Sequence, residues 1–177
     1  MICTASDLRS FLDQDRIAMG ETRTRPRRFG DEIWKFLISL RKMEYQSQRR
    51  GLLAKLAHLF YRYRYHQLSL QLGFSIPANV CGPGLSLPHR GTIVISPLAR
   101  IGANCRIHAC VNIGLAKGGD QAPKIGDNVY IGPGAKLFGD ITIGDNVLIG
   151  ANAVVTKSFG DNLTVVGVPA RILRTHG

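Results

Sequence analysis

Residues 95–113, ISPLARIGANCRIHACVNI, and 125–155, IGDNVYIGPGAKLFGDITIGDNVLIGANAVV, carry the spacing that decides the fold. Every sixth residue is aliphatic: Ile95, Ile101, Ile107 and Ile113, then Ile125, Ile131, Leu137, Ile143, Ile149 and Val155. Four places after each of these except Ile113 sits another residue that can point inward: Ala99, Cys105, Val111, Val129, Ala135, Ile141, Val147, Ala153 and Phe159. A period of six fits neither a helix at 3.6 nor a lone strand at 2. It is the hexapeptide pattern of a parallel β-helix, in which one short strand and a corner make a unit and three units make a triangular coil. A β-sandwich fits poorly, because its turns recur at 8–12 residues and wander. Glycine often follows the aliphatic residue, as at Gly102, Gly126, Gly132, Gly144 and Gly150. The expectation is that these glycines turn corners with φ values a Cβ would resist.

Working outward, the phase of Ile76, Gly82 and Pro88 is one residue short of the later one, since Ile76 to Ile95 spans 19 residues rather than 18. One inserted residue is therefore expected near His89-Arg90-Gly91-Thr92, and such bulges gather at active sites. A second interruption, Leu115 to Lys124, contains Gly118-Gly119 and Pro123 and reads as a loop leaving the coil. Residues 161–177 are expected to cap the stack, whose last coil would otherwise expose strand edges.

The chain thus divides into a helical, basic stretch, 1–75, and a coil region with its cap, 76–177. Of the net charge of +11, +7 falls in the first stretch and +4 in the second. A basic surface attracts anions, but no nucleic-acid motif is present and that class is set aside. Asp31 is a candidate cap for a helix through Ile33 to Leu40. A second helix is expected from about Gln46 to Leu72, ended by Gly73. Its apolar face would carry Leu52, Leu56, Leu59, Phe60 and Tyr63, with Arg49, Arg50, Lys55, Arg62 and Arg64 opposite. Two readings of this helix are open: peripheral contact with a membrane or anionic acceptor, or packing on a neighbouring subunit. No run is long and apolar enough for a spanning helix, and the first residues lack the pattern of a secretory signal. Cys3, Cys81, Cys105 and Cys110 show no CxxC spacing. They read as small buried hydrophobes in a reducing cytoplasm rather than as disulfides or metal ligands.

From GPGLSLPHRGTIVI through IGANCRIHACVNIG and GGDQAPKIGDNVYIGPGAKLFGDITIGDNVLIGANAVVTKSF to VVGVPARIL, about residues 74–173, the sequence resembles the serine acetyltransferase branch of the hexapeptide acyltransferases. It also resembles acetyltransferases of surface-polysaccharide gene clusters, which share the phrase GFSIPANVCGPGLSLPH. The resemblance implies a mainly β chain with a left-handed β-helix, a homotrimer in which two trimers can pair, and acetyl-CoA as donor with no metal.

A protonated hydroxyl is a poor nucleophile, so such an enzyme needs a positioned base, and histidine suits neutral pH. His89 matches the family's catalytic histidine. His108, which follows inward Ile107 and so points outward, is the second candidate, expected to face a cleft on a neighbouring chain. By family position Gly114, Pro133, Ala135 and Ala151 would hold coenzyme A, and Gly167, Pro169 and Arg171 would flank its adenine end. Lys136, Lys157 and Arg171 are candidates for its phosphates.

The sequence also departs from the family. Its aspartate before the catalytic histidine is replaced by Pro88, and another aspartate fifteen residues earlier by Phe74. Its loop His-Pro pair becomes Ala122-Pro123, and the arginine before that pair becomes Gln121. These losses remove partners for a charged amino acid. They favour a sugar or polysaccharide-precursor hydroxyl as acceptor, with L-serine as the alternative. A zinc carbonic anhydrase needs three gathered histidines, and a bare scaffold needs neither His89 nor the extruded loop.

Overall fold

The computed structural model describes residues 1–176. Three helices come first: α1 (Ala5–Ala18), α2 (Glu32–Ser47) and α3 (Leu52–Leu72). Thirteen short strands follow. They are β1 (Phe74–Ser75), β2 (Ile93–Ile95), β3 (Arg100–Ile101), β4 (Arg106–Ile107), β5 (Asn112–Gly114), β6 (Lys124–Ile125) and β7 (Tyr130–Ile131). Then come β8 (Lys136–Phe138), β9 (Thr142–Ile143), β10 (Leu148–Ile149), β11 (Val154–Val155), β12 (Leu163–Val166) and β13 (Arg171–Thr175).

The strands form three parallel ladders, as the six-residue period requires. One runs β1-β2-β5-β8-β11, one β3-β6-β9 and one β4-β7-β10-β12, with β13 folded back antiparallel on β12. The aliphatic residues stack down the inside, Ile95 over Ile113 over Leu137 over Val155 and Ile107 over Ile131 over Ile149 over Val165. All are essentially sealed from solvent. Each such side chain stabilises the coil by about 1.5–3 kcal/mol.

The glycines after the aliphatic residues do a different job from the expected one. The left-handed corner positions belong mainly to asparagine: Asn104, Asn128, Asn146, Asn152 and Asn162 have φ of 55 to 57°. Gly102, Gly126 and Gly144 are instead forced by coil-on-coil approach. A Cβ on Gly102 would sit 2.6 Å from the Gly126 carbonyl, and one on Gly144 2.7 Å from the Asp161 nitrogen. The recurrent Gly-Asp-Asn unit makes two side-chain ladders. Asp127, Asp145 and Asp161 each accept from a backbone N–H one coil earlier, at 2.7, 2.7 and 2.8 Å. Asn104, Asn128, Asn146 and Asn162 bond amide to amide at 3.2, 3.1 and 3.0 Å.

The irregular first coil also corrects the expected phase. Cys81 and Leu87 are the inward residues, with Cys81 bridged to Ile101, whereas Gly82 and Pro88 are half-buried. From Ile76 to Cys81 the chain is one residue short, and from Leu87 to Ile95 it is two residues long. The two changes partly cancel, which is why the sequence displays a slip of one. Phe159 bridges to Ile143 and so holds the next unit's aliphatic slot, not a place in the unit of Val155. The loop after β5 rejoins the interior earlier than expected, at buried Ala122 and Pro123.

Three expectations for the helical stretch change. The helix expected from about Gln46 starts at Leu52, after Gly51, whose φ of 104° a helix cannot use. Helix α2 also runs past Leu40 to Ser47. Asp31 precedes α2 but does not cap it with its side chain. Its carboxylate accepts from Arg23 (2.7 Å) and from the Arg27 N–H (2.8 Å). The expected apolar face of α3, Leu52, Leu56, Leu59, Phe60 and Tyr63, is exposed on the single chain, which leaves both readings of this helix open. Leu68, Leu72 and the half-buried Tyr61 and Tyr65 pack inward instead, and the Tyr65 hydroxyl donates to the Ile76 carbonyl at 2.6 Å. Helix α1, opened by a Thr4–Asp7 capping box, was not foreseen individually.

The helices rest on the first coil. Arg41 is fully buried, donating to Asp15 (2.8 Å), Glu44 (3.2 Å) and the carbonyls of Cys81 (2.8 Å) and Gly82 (2.6 Å). Burial raises the Glu44 carboxyl while the adjacent guanidinium opposes the shift. Phe36 meets Phe74 edge-on at 5.2 Å, so one apolar core is continuous from α2 into the coils. No helix among the described residues is long and apolar enough to cross a membrane.

Candidate active site

The long corner between Leu87 and Ile95 presents His89, whose side chain is exposed. One coil further on, His108 follows inward Ile107 and leaves the core on the same side. The two rings are 5.7 Å apart. Both histidines therefore belong to one face of one chain, and no neighbouring chain is needed to bring His108 to His89. Tyr130, in the next coil, backs His108 at 4.9 Å. Sequence reasoning missed Tyr130. Its signal was the register itself, since Arg106 pairs with Tyr130 and so places it beside the neighbour of Ile107.

His108 Nε2 is buried and has no hydrogen-bond partner among the described residues. Burial, then Arg106, then His89 hold the His108 pKa below its ordinary value, which favours the neutral ring. Arg90, next to His89, is tied to Glu32 at the start of α2 at 2.6 Å. That pair fixes the far side of the corner.

The candidate donor residues fall largely along one edge of the prism. Ala109, Pro133 and Ala151 occupy successive corners, linked by Gly134 N–H to Ala109 C=O and Asn152 N–H to Pro133 C=O, both 2.9 Å. Gly167 continues the edge, accepting from Val154 N–H at 3.0 Å. Pro133, Ala151, Gly167, Pro169 and Arg171 are exposed there. Gly114 lies opposite Phe138 in the adjoining ladder. A Cβ on it would meet only that ring, at 3.6 Å, so the fold itself does not demand glycine.

Two candidates are placed otherwise. Ala135 points into the core at 0% exposure, and its N–H and C=O are used by Gly132 and Asn112. It has no group left for a cofactor, because the same residue cannot fill the stack and line the groove. Lys136 opens β8 at that edge, its Nζ donating to the Cys110 carbonyl beside Ala109, whereas Lys157 lies beyond the far end of β11, away from the edge. Phe74 and Ala122, which stand where the family has charged or polar groups, are both buried in apolar surroundings. Cys81 and Cys105 are buried, their thiols pushed up to about 12, whereas Cys3 and Cys110 are exposed rather than buried as expected. Among the described residues no three His, Cys, Asp or Glu side chains gather as a metal site.

Known proteins resemble this chain in sequence and in fold. The family described as bacterial transferase hexapeptide (six repeats) matches residues 122–157. A serine acetyltransferase from Staphylococcus xylosus is 43% identical over 103 residues, 57% of this chain and 48% of that protein. One from Synechococcus elongatus is 34% identical over 134 residues, 70% of this chain and 55% of that protein. The chain spans about half the length of the curated relatives it matches. Among solved structures, serine acetyltransferase from Brucella abortus in complex with coenzyme A aligns with a TM-score of 0.71 at 31% identity, covering 98% of this chain and 70% of that one. Neisseria gonorrhoeae serine acetyltransferase in complex with serine aligns with a TM-score of 0.70 at 30% identity, covering 94% and 69%.

Proposed function

Because the chain belongs to the hexapeptide-repeat transferases, in their serine acetyltransferase-like branch, we propose that it is an acetyl-CoA-dependent O-acetyltransferase built on a left-handed β-helix. The observation that supports this most is His89 on the over-long corner, exposed and 5.7 Å from His108, at the head of the edge that Pro133, Ala151 and Gly167 continue. His89 takes the proton of the acceptor hydroxyl as its oxygen attacks the thioester carbonyl. The carbon–sulfur bond breaks, and the departing CoA thiolate recovers a proton. Neutral His108 holds the second position in the cleft. Coenzyme A lies along the small-residue edge, its arm close to Gly114 and its adenine end near Gly167, Pro169 and Arg171. A homotrimer places a second chain against this edge and completes the groove. A cytoplasmic location goes with that donor.

L-serine is the acceptor that the relatives' names favour, over the sugar hydroxyl expected from the sequence. A second reading, an uncharged hydroxyl such as that of a sugar, keeps one specific support. Phe74 and Ala122 are buried and apolar where charge-pairing groups would be needed for an amino acid. Release of CoA measured with L-serine and with a panel of sugar acceptors decides between them. Turnover on serine on the order of 10 per second removes the sugar reading. Turnover on a sugar with none on serine removes the serine reading, and no CoA release with any acceptor counts against the transferase itself.

A further inference from the structure

Helices α1, α2 and α3 and the loop between α1 and α2 enclose a cavity of about 680 Å³. None of its lining residues belongs to the His89 corner or the donor edge. Its walls hold six cationic side chains, Arg9, Arg16, Arg25, Lys35, Lys42 and Arg64, against one carboxylate, Asp13. Asp13 is engaged by Arg16 at 3.6 Å. Lys35 and Lys42 are half-buried, and among the described residues neither is paired with a carboxylate; Lys42 also lies over the Tyr61 ring at 5.1 Å. Lys35 Nζ donates to the Arg28 carbonyl (2.8 Å) and Lys42 Nζ to the Tyr61 hydroxyl (3.2 Å). Cations crowded into a concave, partly desolvated space repel one another and raise the local potential, a state that a bound anion relieves.

The opposite wall is aromatic. Phe60 and Tyr61 stand edge-to-face at 5.2 Å, and buried Trp34 forms the floor. The volume is that of a small-molecule site. We propose that this cavity binds a nucleotide, its base against Phe60 and Tyr61 and its phosphates on Lys35 and Lys42. A bare phosphate would leave the aromatic wall unused. A flat anionic membrane would leave the concavity and its Trp34 floor unused. The site stands whatever acceptor the transferase uses.

Trp34 is the only tryptophan of the chain, so its fluorescence reports on this cavity alone. The full chain is titrated with ADP and with UDP, with calorimetry in parallel. Saturable quenching by either nucleotide is expected. Loss of one charge-assisted phosphate bond should weaken the affinity about 10- to 100-fold in Lys35→Gln and in Lys42→Gln. Phe60→Ala should weaken nucleotide but not inorganic pyrophosphate. Circular dichroism checks each fold, and the exposed Arg64→Gln serves if a buried-lysine variant does not fold. No saturable signal overturns the proposal. So does pyrophosphate binding as tightly as nucleotide, binding unchanged in all the cationic variants, or binding only to phosphatidylglycerol vesicles.

Discussion

A hydroxyl attacks a thioester only when its proton has somewhere to go, and at neutral pH an exposed imidazole on a rigid corner is a suitable recipient. His89→Ala should lower kcat about 10²- to 10⁴-fold, while the fold and the affinity for acetyl-CoA hold, because the exposed side chain packs into no coil stack and the donor rests on the later corners. His108→Ala should cost much less; kinetics of the two variants side by side checks this, and a large loss at His108 alone would reverse the assignment. His108 carries a second expectation. Its folded pKa lies below the usual 6.5, so on acidification the unfolded chain binds the proton first. The stability associated with the neutral ring is present above about pH 6.5 and is lost as pH falls from there to the folded pKa. Thermal melts of His108→Gln should therefore depend less on pH below 6.5 than those of the parent chain.

At the scale of elements, corner chemistry is what keeps coils in register. Gly144→Ala puts a methyl into backbone only 2.7 Å away and should destabilise by about 1–3 kcal/mol. Gly160→Ala has open space around it and should change stability by less than about 0.5 kcal/mol. Denaturant unfolding of the two variants tests the stacking account, and equal effects would refute it. The joint between helices and coils rests on one guanidinium. Arg41→Met leaves Asp15 and Glu44 buried without their cation and two coil carbonyls without a donor. A loss of about 3–5 kcal/mol is expected, read as a lower Tm. Had Arg41 been an ordinary surface residue, the melt would barely move.

For the whole molecule, one chain leaves two surfaces unfinished. The small-residue edge is open to solvent, and α3 shows Leu52, Leu56, Leu59, Phe60 and Tyr63 to water. An exposed apolar stripe of this kind marks an interaction surface. Sedimentation should give three times the 19.4 kDa chain mass, or twice that if trimers pair through α3. An active monomer would overturn the trimer. Leu56→Asp on the stripe should abolish any pairing of trimers while leaving the trimer intact.

The sequence by itself determined the coil, because inward positions repeat every six residues and burial enforces them one by one. It also pointed to His89, since an irregular corner in a strict repeat is visible as a change of phase. Tertiary structure alone decided how that phase arose, one residue lost before Cys81 and two gained after Leu87, because two opposite shifts leave only their difference in the sequence. It alone showed that asparagine takes the left-handed corners while glycine yields to the coil above. It alone showed that Leu68, Leu72, Tyr61 and Tyr65 seat α3 on the rest of the chain while the apolar stripe stays exposed, since periodicity marks a stripe but not which neighbour covers it. And it set His108 beside His89 within one chain and Ala135 inside the stack, facts that depend on coil-to-coil offsets no local pattern contains.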